Sequence, residues 1–267
     1  MELPAPSVSQ EAHVDRVVLL GASNLAKGFS TVVATAEQAW QRPLEVVTAL
    51  GHGRSYGRTT SVLGRTLPGI LECQLWPALA SSPAVATAAL VTDIGNDLLY
   101  EEPVATILAW VESCLDRLAA IGAHTVVTPL PLGNLETLSE ARFTLMRTLL
   151  FPGCRLNLET CAERAHQLNE GVKKLTAERG MTLAEQRTDW YGFDPVHIRW
   201  ARRRSAWREI LARWTGTIRD IPAIGSTLRE TLYLRSRVPH HRRLLGFEQR
   251  RAQPSGRLPS GTTMAIY

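Results

Sequence analysis

The sequence predicts a three-layer α/β/α sandwich built on a five-stranded parallel sheet. Short apolar runs alternate with longer helical patterns over residues 15–214. The runs are apolar on both faces, as strands covered by helices on both sides must be. The residues suited to chemistry follow the runs, where the strand ends of a parallel sheet gather their loops. Right-handed crossovers then sort the helices into two outer layers.

The elements run in order. "DRVVLLG" (15–21) is the first strand, and it passes through Gly21-Ala22-Ser23-Asn24 into a helical pattern over 24–41. "LEVVTAL" (44–50) is the second, followed by "GHGRSYG" (51–57) and a helical candidate near 59–72. "TAALVTDI" (87–94) is the third, closing in "DIGND" (93–97) ahead of a helix at 103–121. "HTVVTPL" (124–130) is the fourth. The segment 131–157 after it is longer than a strand-to-helix loop needs, and holds a helical piece at 137–150. Such an excursion either shapes a substrate site or adds packing. A helix over 155–179 leads to the fifth strand, "MTLAEQ" (181–186). The last helix spans 198–214, with Trp207, Ile210, Leu211 and Trp214 on one stripe and Arg202, Arg203, Arg204 and Arg208 mostly outward. Periodicity fades after 215, and "RRAQPSGRLPSGTT" reads as a flexible end. The expected organisation is a flexible amino terminus (1–14), one domain (15–215) and a basic, partly disordered extension (216–267).

Composition narrows the class. At 267 residues and 45% hydrophobic content the chain buries a full core. It has no apolar run long enough for a membrane span. "MELPAPSVSQEAHVDR" has neither the basic start nor the apolar stretch of a secretion signal, so the expected location is cytoplasmic. Cysteines 73, 114, 154 and 161 form no CxxC pair and have no zinc-like histidine spacing. Cys114 reads as a small core group, and Cys154 and Cys161 as free thiols in a reducing compartment. Charge is uneven: residues 201–267 hold 14 arginines against 4 acids, and the remainder holds 16 basic against 21 acidic residues. The basic end is either a polyanion contact or a solvated extension.

The loops after the strands converge on one edge of the sheet. Ser23 comes from the first, "GHGRSYG" from the second, "DIGND" from the third, and "DPVHIRW" (194–200) precedes the last helix. Asp194 and His197 stand three apart. A turn there lets the carboxylate hold one imidazole N–H and fix the tautomer while the other nitrogen faces Ser23. A serine hydroxyl needs such a base to become a nucleophile. The Ser23 N–H, a glycine N–H from the second loop and the Asn96 amide are candidate donors to an oxyanion. Singly, each has a plainer reading as a turn residue. His52, Arg54 and Tyr56 are secondary candidates for lining a substrate pocket. Gly51, Gly53 and Gly57 also give a loosened dinucleotide-binding loop, but the acid that should end the next strand is missing, since Glu72 falls inside "PGILECQLW".

Taken together, Ser after strand one, Gly after strand two, Asn after strand three and DxxH before the last helix resemble the four blocks of the SGNH hydrolases, the GDSL-type esterases and lipases. The resemblance covers residues 15 to about 214. It implies a flavodoxin-like fold and a serine hydrolase that cleaves acyl or acetyl esters through a Ser-His-Asp triad and an acyl-enzyme. Ser23 matches the nucleophile, His197 the base and Asp194 its orienter. Gly53, with Gly51 as fallback, and Asn96 match the oxyanion hole. The implied substrate is a small-molecule, carbohydrate or lipid ester, with no metal and no organic cofactor. Two positions depart from the pattern: Gly-Asp-Ser becomes Gly21-Ala22-Ser23, and Ile94 stands at the third block's glycine with Gly95 after it. The alternatives are acyl transfer to another alcohol at the same site, or a non-catalytic scaffold whose basic tail binds polyanions.

Overall fold

The computed structural model describes residues 14–215 and 224–267. The expected flexible segment 1–14 lies, apart from Val14, outside the described residues. Strand β1 (Arg16–Leu20) is buried throughout and hands over to helix α1 (Ser23–Trp40) through Gly21 and Ala22. Strand β2 (Glu45–Ala49) is followed by a short hairpin, β3 (Thr60–Val62) and β4 (Arg65–Leu67), and by α2 (Leu75–Ser81). Next come β5 (Thr87–Val91), the single turn α3 (Asn96–Leu99), α4 (Val104–Ala120) and β6 (His124–Val127). The long excursion folds as α5 (Leu132–Glu136) and α6 (Glu140–Leu150), ahead of α7 (Leu158–Glu178) and β7 (Thr182–Leu183). Asn157 and Ser139 start α7 and α6 as side-chain caps, accepting from the Thr160 and Arg142 N–H groups. Helix α8 (Arg203–Thr215) carries the expected stripe, with Trp207, Ile210, Leu211 and Trp214 all buried.

The main sheet has the order β10-β11-β2-β1-β5-β6-β7, where β10 is Gly256–Arg257 and β11 is Thr263–Ile266. Every neighbouring pair is parallel except β10 with β11. The five expected strands therefore lie second-first-third-fourth-fifth, the doubly wound order. Alternation sends Val17, Leu19, Val46 and Leu90 into one core layer with α1, α8 and α9 (Leu228–Arg235). Val18, Leu20, Val47 and Val91 enter the other with α4 and α7. Leu20 pairs with both Ala49 and Val91, so β1, β2 and β5 end level and their loops open side by side. The junction of β1 and β5 is where the winding reverses, the place where such sheets bind ligands.

Two expectations fail. Residues 59–72 hold the β3–β4 hairpin and the loop after it rather than a helix, the hairpin turning at Leu63 and Gly64 with φ of 50° and 72°. Positive φ at both central residues gives the turn whose twist matches the strands it joins. A leucine at the first of them hides that turn in the sequence.

The other failure is the flexible end past 215, which is overturned for the described residues 224–267. Helix α9 opens with a capping box between Thr227 and Glu230. Strands β8 (His241–Leu244) and β9 (Phe247–Arg250) join β3 and β4 in a second, antiparallel sheet of order β3-β4-β8-β9. Strand β11 then enters the main sheet beside β2, with Met264, Ala265 and Ile266 buried, so the parallel sheet gains a sixth strand. A four-residue strand among Pro, Ser, Gly and Arg is too short to show a period.

Candidate active site

Ser23 is the first residue of α1, and its own N–H has no acceptor among the described residues. That is the ordinary state of a helix amino terminus, which leaves N–H groups pointing at the strand-end crevice. The turn beneath it is closed from β5. Asp93, in the left-handed region at φ 61°, accepts the Ala22 N–H at 2.8 Å and the Leu25 N–H at 3.1 Å through Oδ2. Its Oδ1 accepts from Asn24 Nδ2 at 2.9 Å. Aspartate is among the few side chains that enter that region readily.

The DPVH segment sits against this turn. His197 Nε2 is 2.8 Å from Ser23 Oγ, and His197 Nδ1 is 2.5 Å from Asp194 Oδ2. Asp194 Oδ1 also accepts the Val196 and His197 N–H groups at 3.0 and 3.2 Å, which curls the segment so that carboxylate and ring meet. Burial alone would raise the Asp194 carboxyl. The hydrogen bond and charge of His197 and the two backbone donors outweigh it and hold the group below its usual value. Asp194 thus stays ionised, an acceptor fixed against Nδ1. Asn24 bridges helix and loop: Nδ2 donates to the Val196 carbonyl at 2.9 Å, and Oδ1 accepts the Ile198 N–H at 2.8 Å.

The remaining expected residues divide. Asn96, the first residue of α3, is buried beside the same crevice, and its Nδ2 makes one long bond, 3.4 Å, to the Arg54 carbonyl. Gly53 adopts φ 61°, and a side chain there would run into Val62 and the Tyr100 hydroxyl, so only glycine fits. Its carbonyl accepts from Tyr100 at 2.6 Å, and its N–H has no acceptor among the described residues. Gly51 is buried, and a Cβ on it would strike Leu67. Arg54 and Tyr56 do not line the crevice. Both are fully buried: Arg54 donates to the Pro68, Leu50 and Tyr267 backbone oxygens, and Tyr56 donates its hydroxyl to the Thr92 carbonyl at 2.7 Å. They are structural ties, because alternate residues of a loop entering the core turn inward. His52, on the same loop, is exposed.

Asp93 and Asn24 are the functional candidates that the sequence alone did not single out. Asp93 lies inside the quoted "DIGND", and its signal is register, level with Ser23 across β1 and β5. Asn24 has no sequence signal, because an asparagine in the first turn of a helix is ordinary.

A cleft of about 980 Å³, open to solvent, begins at Ser23, Asn24 and Asn96. Its walls are apolar: Leu98, Leu130, Leu135, Phe143 and Met146 lie along it, supplied by α3, the end of β6, α5 and α6. The excursion after β6 therefore walls the same cleft as Ser23. Arg142 of α6 fastens it to the His197 loop by donating to the Gly192 and Phe193 carbonyls and stacking on the Phe193 ring at 4.9 Å. Among the described residues no group of three His, Cys, Asp or Glu side chains is placed to hold a metal ion. No described helix is long and apolar enough to cross a membrane.

No protein-family model matches the sequence, and no curated protein matches it. Solved structures do. One matches over 75% of this chain and 94% of its own, at 13% identity and a TM-score of 0.50. The psychrotrophic esterase EstA from Pseudoalteromonas sp. matches over 76% of this chain and 100% of its own, at 12% identity and 0.48. AlinE4, an SGNH-hydrolase family esterase, matches over 82% and 90%, at 15% and 0.42. The first of these establishes a shared fold, and at such identities the likeness stops there.

Proposed function

We propose that this chain is a serine esterase of the SGNH type. The observation behind the reading is the linear relay from Asp194 through His197 to Ser23, at 2.5 and 2.8 Å, at the mouth of an apolar cleft. Ser23 Oγ attacks the ester carbonyl as His197 Nε2 takes its proton. Asp194 holds Nδ1–H and stabilises the imidazolium. The carbonyl oxygen, now an anion, is met by the Ser23 N–H, the Gly53 N–H and the Asn96 amide. The imidazolium returns its proton to the departing alcohol. Water, deprotonated by the same nitrogen, then attacks the acyl-serine and releases the acid.

The cleft suits an aliphatic acyl chain. Its walls offer mainly leucine, phenylalanine and methionine; the two charged side chains on its lining, Asp93 and Arg147, are engaged by the Ala22, Asn24 and Leu25 donors and by the Leu156 carbonyl. Each methylene moved from water into it contributes about 0.8 kcal/mol. The free, buried thiols Cys154 and Cys161 fit a reducing compartment such as the cytoplasm.

The test is fluorophosphonate labelling beside hydrolysis of p-nitrophenyl octanoate, for the wild type and Ser23→Ala. Both signals are expected in the wild type, and turnover in Ser23→Ala should drop on the order of 10⁴ to 10⁶. A folded wild type that takes no label would refute the reading.

A further inference from the structure

A second cavity lies on the other side of Ser23 from the apolar cleft, and it is basic. Counting the solvent-open space at its mouth it spans about 1450 Å³, between α1, the loop after β2, the β3–β4 hairpin and the segment from α9 to β11. Lys27, His52, Arg65, Arg235 and Arg237 border it, with no carboxylate among its described lining residues. Lys27, Arg65 and Arg235 have no salt-bridge partner among the described residues. Arg237 is held by the Tyr233 and Ser255 carbonyls and the Tyr233 ring, which leaves its charge uncompensated.

The placement ties this cavity to the triad. Lys27 follows Ser23 by four residues on α1, one helical turn along the same face. It lies within reach of the charges of Asp93 and Asp194, and of Arg203 on the opposing side. His52 directly precedes Gly53 and lies within reach of the charges of Lys27, Arg65 and Arg235. Partial covering of its ring, then the charges of Lys27 and Arg65, hold its imidazole below the usual range. In the sheet order Ser23, after β1, stands between the two spaces. The apolar cleft comes from the β5 and β6 side, and the basic cavity from the β2 and β11 side.

Like charges gathered round a concave surface repel one another and cost folding energy unless an anion balances them. A cleft lined by one sign also concentrates the opposite ion. Seven of the eighteen lining residues come from the carboxyl-terminal segment, so Arg235 and Arg237 are built into a cavity instead of being spread along a tail. A recess walled by a helix, a hairpin and the segment from α9 to β11 suits a small molecule better than a duplex or a polysaccharide.

Resting on the esterase reading above, we propose that this cavity binds a phosphate-like anionic group carried by the alcohol portion of the ester. The acyl chain then lies in the apolar cleft, with the scissile bond at Ser23 between them. Arginine is suited to that contact because its planar fork pairs with two oxygens at once.

The experiment uses the full chain and its Arg65→Gln/Arg235→Gln variant. Both side chains are exposed and lack carboxylate partners, and circular dichroism confirms the fold. Hydrolysis of 1-octanoylglycerol 3-phosphate is compared with that of 1-octanoylglycerol, which differs only in the phosphate, and pyrophosphate binding is measured by calorimetry. The wild type should favour the phosphate ester, and in the variant the ratio of the two kcat/KM values should fall about tenfold or more, as expected for lost charge-assisted hydrogen bonds. Pyrophosphate binding should weaken in parallel. A wild type that takes the fluorophosphonate label but shows no preference and no pyrophosphate binding overturns this proposal and leaves the esterase standing. Arginine-dependent pyrophosphate binding without serine labelling refutes the esterase reading, keeps the anion site and overturns its assignment to an ester's alcohol portion. Arginine-dependent sedimentation with phosphatidylglycerol vesicles, in a protein that ignores pyrophosphate, overturns it in favour of a membrane surface.

Discussion

Asp93 accepts the Ala22 N–H at 2.8 Å, so a carboxylate at the exit of β5 closes the turn that mounts Ser23 on α1. The sequence at the turn itself, Gly21-Ala22-Ser23, has no acid to do this. The ordering comes from a strand that is distant in sequence but adjacent in the sheet, and the level ends of β1 and β5 make the contact geometrically cheap.

Removing that carboxylate should therefore act on geometry. In Asp93→Ala the Ala22 and Leu25 N–H groups and the Asn24 amide lose an acceptor together. A displacement of Ser23 by about an ångström costs on the order of 10²-fold in rate. The expected result is a kcat lowered about 10- to 100-fold with KM nearly unchanged, and stability lowered by about 1 kcal/mol, as for a lost helix cap. Asp93→Asn keeps an acceptor and tolerates the left-handed conformation, so it should recover much of the rate. Wild-type kcat in Asp93→Ala would show that the turn holds its shape unaided.

Asn24 brackets His197 from both sides, through the Val196 carbonyl and the Ile198 N–H, while its third bond goes to Asp93. Asn24→Ala frees the His197 loop rather than the Ser23 turn. The expected loss is again in kcat, about tenfold or more, with fluorophosphonate labelling slowed by the same factor because it depends on the same Ser23–His197 contact. Asn24→Asp keeps the acceptor for Ile198 but loses both donations and sets a second carboxylate against Asp93. It should rescue nothing. Labelling at the wild-type rate in a slow Asn24→Ala enzyme would remove Asn24 from any part in positioning the base.

What the sequence discloses and withholds follows from length of signal. Strands such as "RVVLL" and helices such as 158–178 repeat their pattern often enough to be read, and their alternation specifies the doubly wound sheet. Ser23, Asn96 and the DPVH segment were legible because the chemistry they suggest demands rare residue types at strand ends. Their meeting was not: it depends on the register of Leu20 with Ala49 and Val91, which no single strand reveals. Strand β11 was hidden by its four residues, and the hairpin at 60–67 by a leucine where asparagine or aspartate usually marks the turn. Arg54 and Tyr56 misled because a polar residue in a loop reads as exposed, whereas these two are drawn inward by carbonyl partners.

Asp97 supplies a pH dependence. It is buried beneath the loop that presents Asn96. Desolvation lifts its carboxyl from 3.8 to about 6, against the lowering effect of bonds such as the one donated by the Tyr56 N–H at 2.9 Å. A raised folded pKa means the native state holds the proton longer than the unfolded chain. Below about pH 4 both states are protonated and the group is neutral in effect. Stability is lost as pH rises through the interval up to 6, and above it the full cost of a buried charge is present, at most about 3 kcal/mol. Asp97→Asn keeps an oxygen for the Tyr56 N–H without the charge. It should raise the melting temperature at pH 8 and leave it nearly unchanged at pH 4. Equal gains at both values would mean that packing, not ionisation, is responsible.

The carboxyl-terminal segment is the sharpest point of disagreement between a basic appendage and a structural one, and deletion separates them. Truncation after residue 215 strips β11 from β2 and uncovers the strand that carries Val46 and Val47. It withdraws the buried side chains of Met264 and Ile266, each contributing roughly 1.5–3 kcal/mol by burial alone. It takes the Tyr267 oxygen from the buried Arg54 guanidinium, leaving a desolvated cation short of a partner at a cost of about 3–5 kcal/mol. Those losses together approach the whole net stability of a domain, about 5–15 kcal/mol. The truncated chain should be insoluble or molten, and Ile266→Ala alone should lower the unfolding free energy by about 2–5 kcal/mol in urea titration. A truncated chain that stayed folded, with an unchanged denaturation midpoint, would return these residues to the role of a dispensable tail.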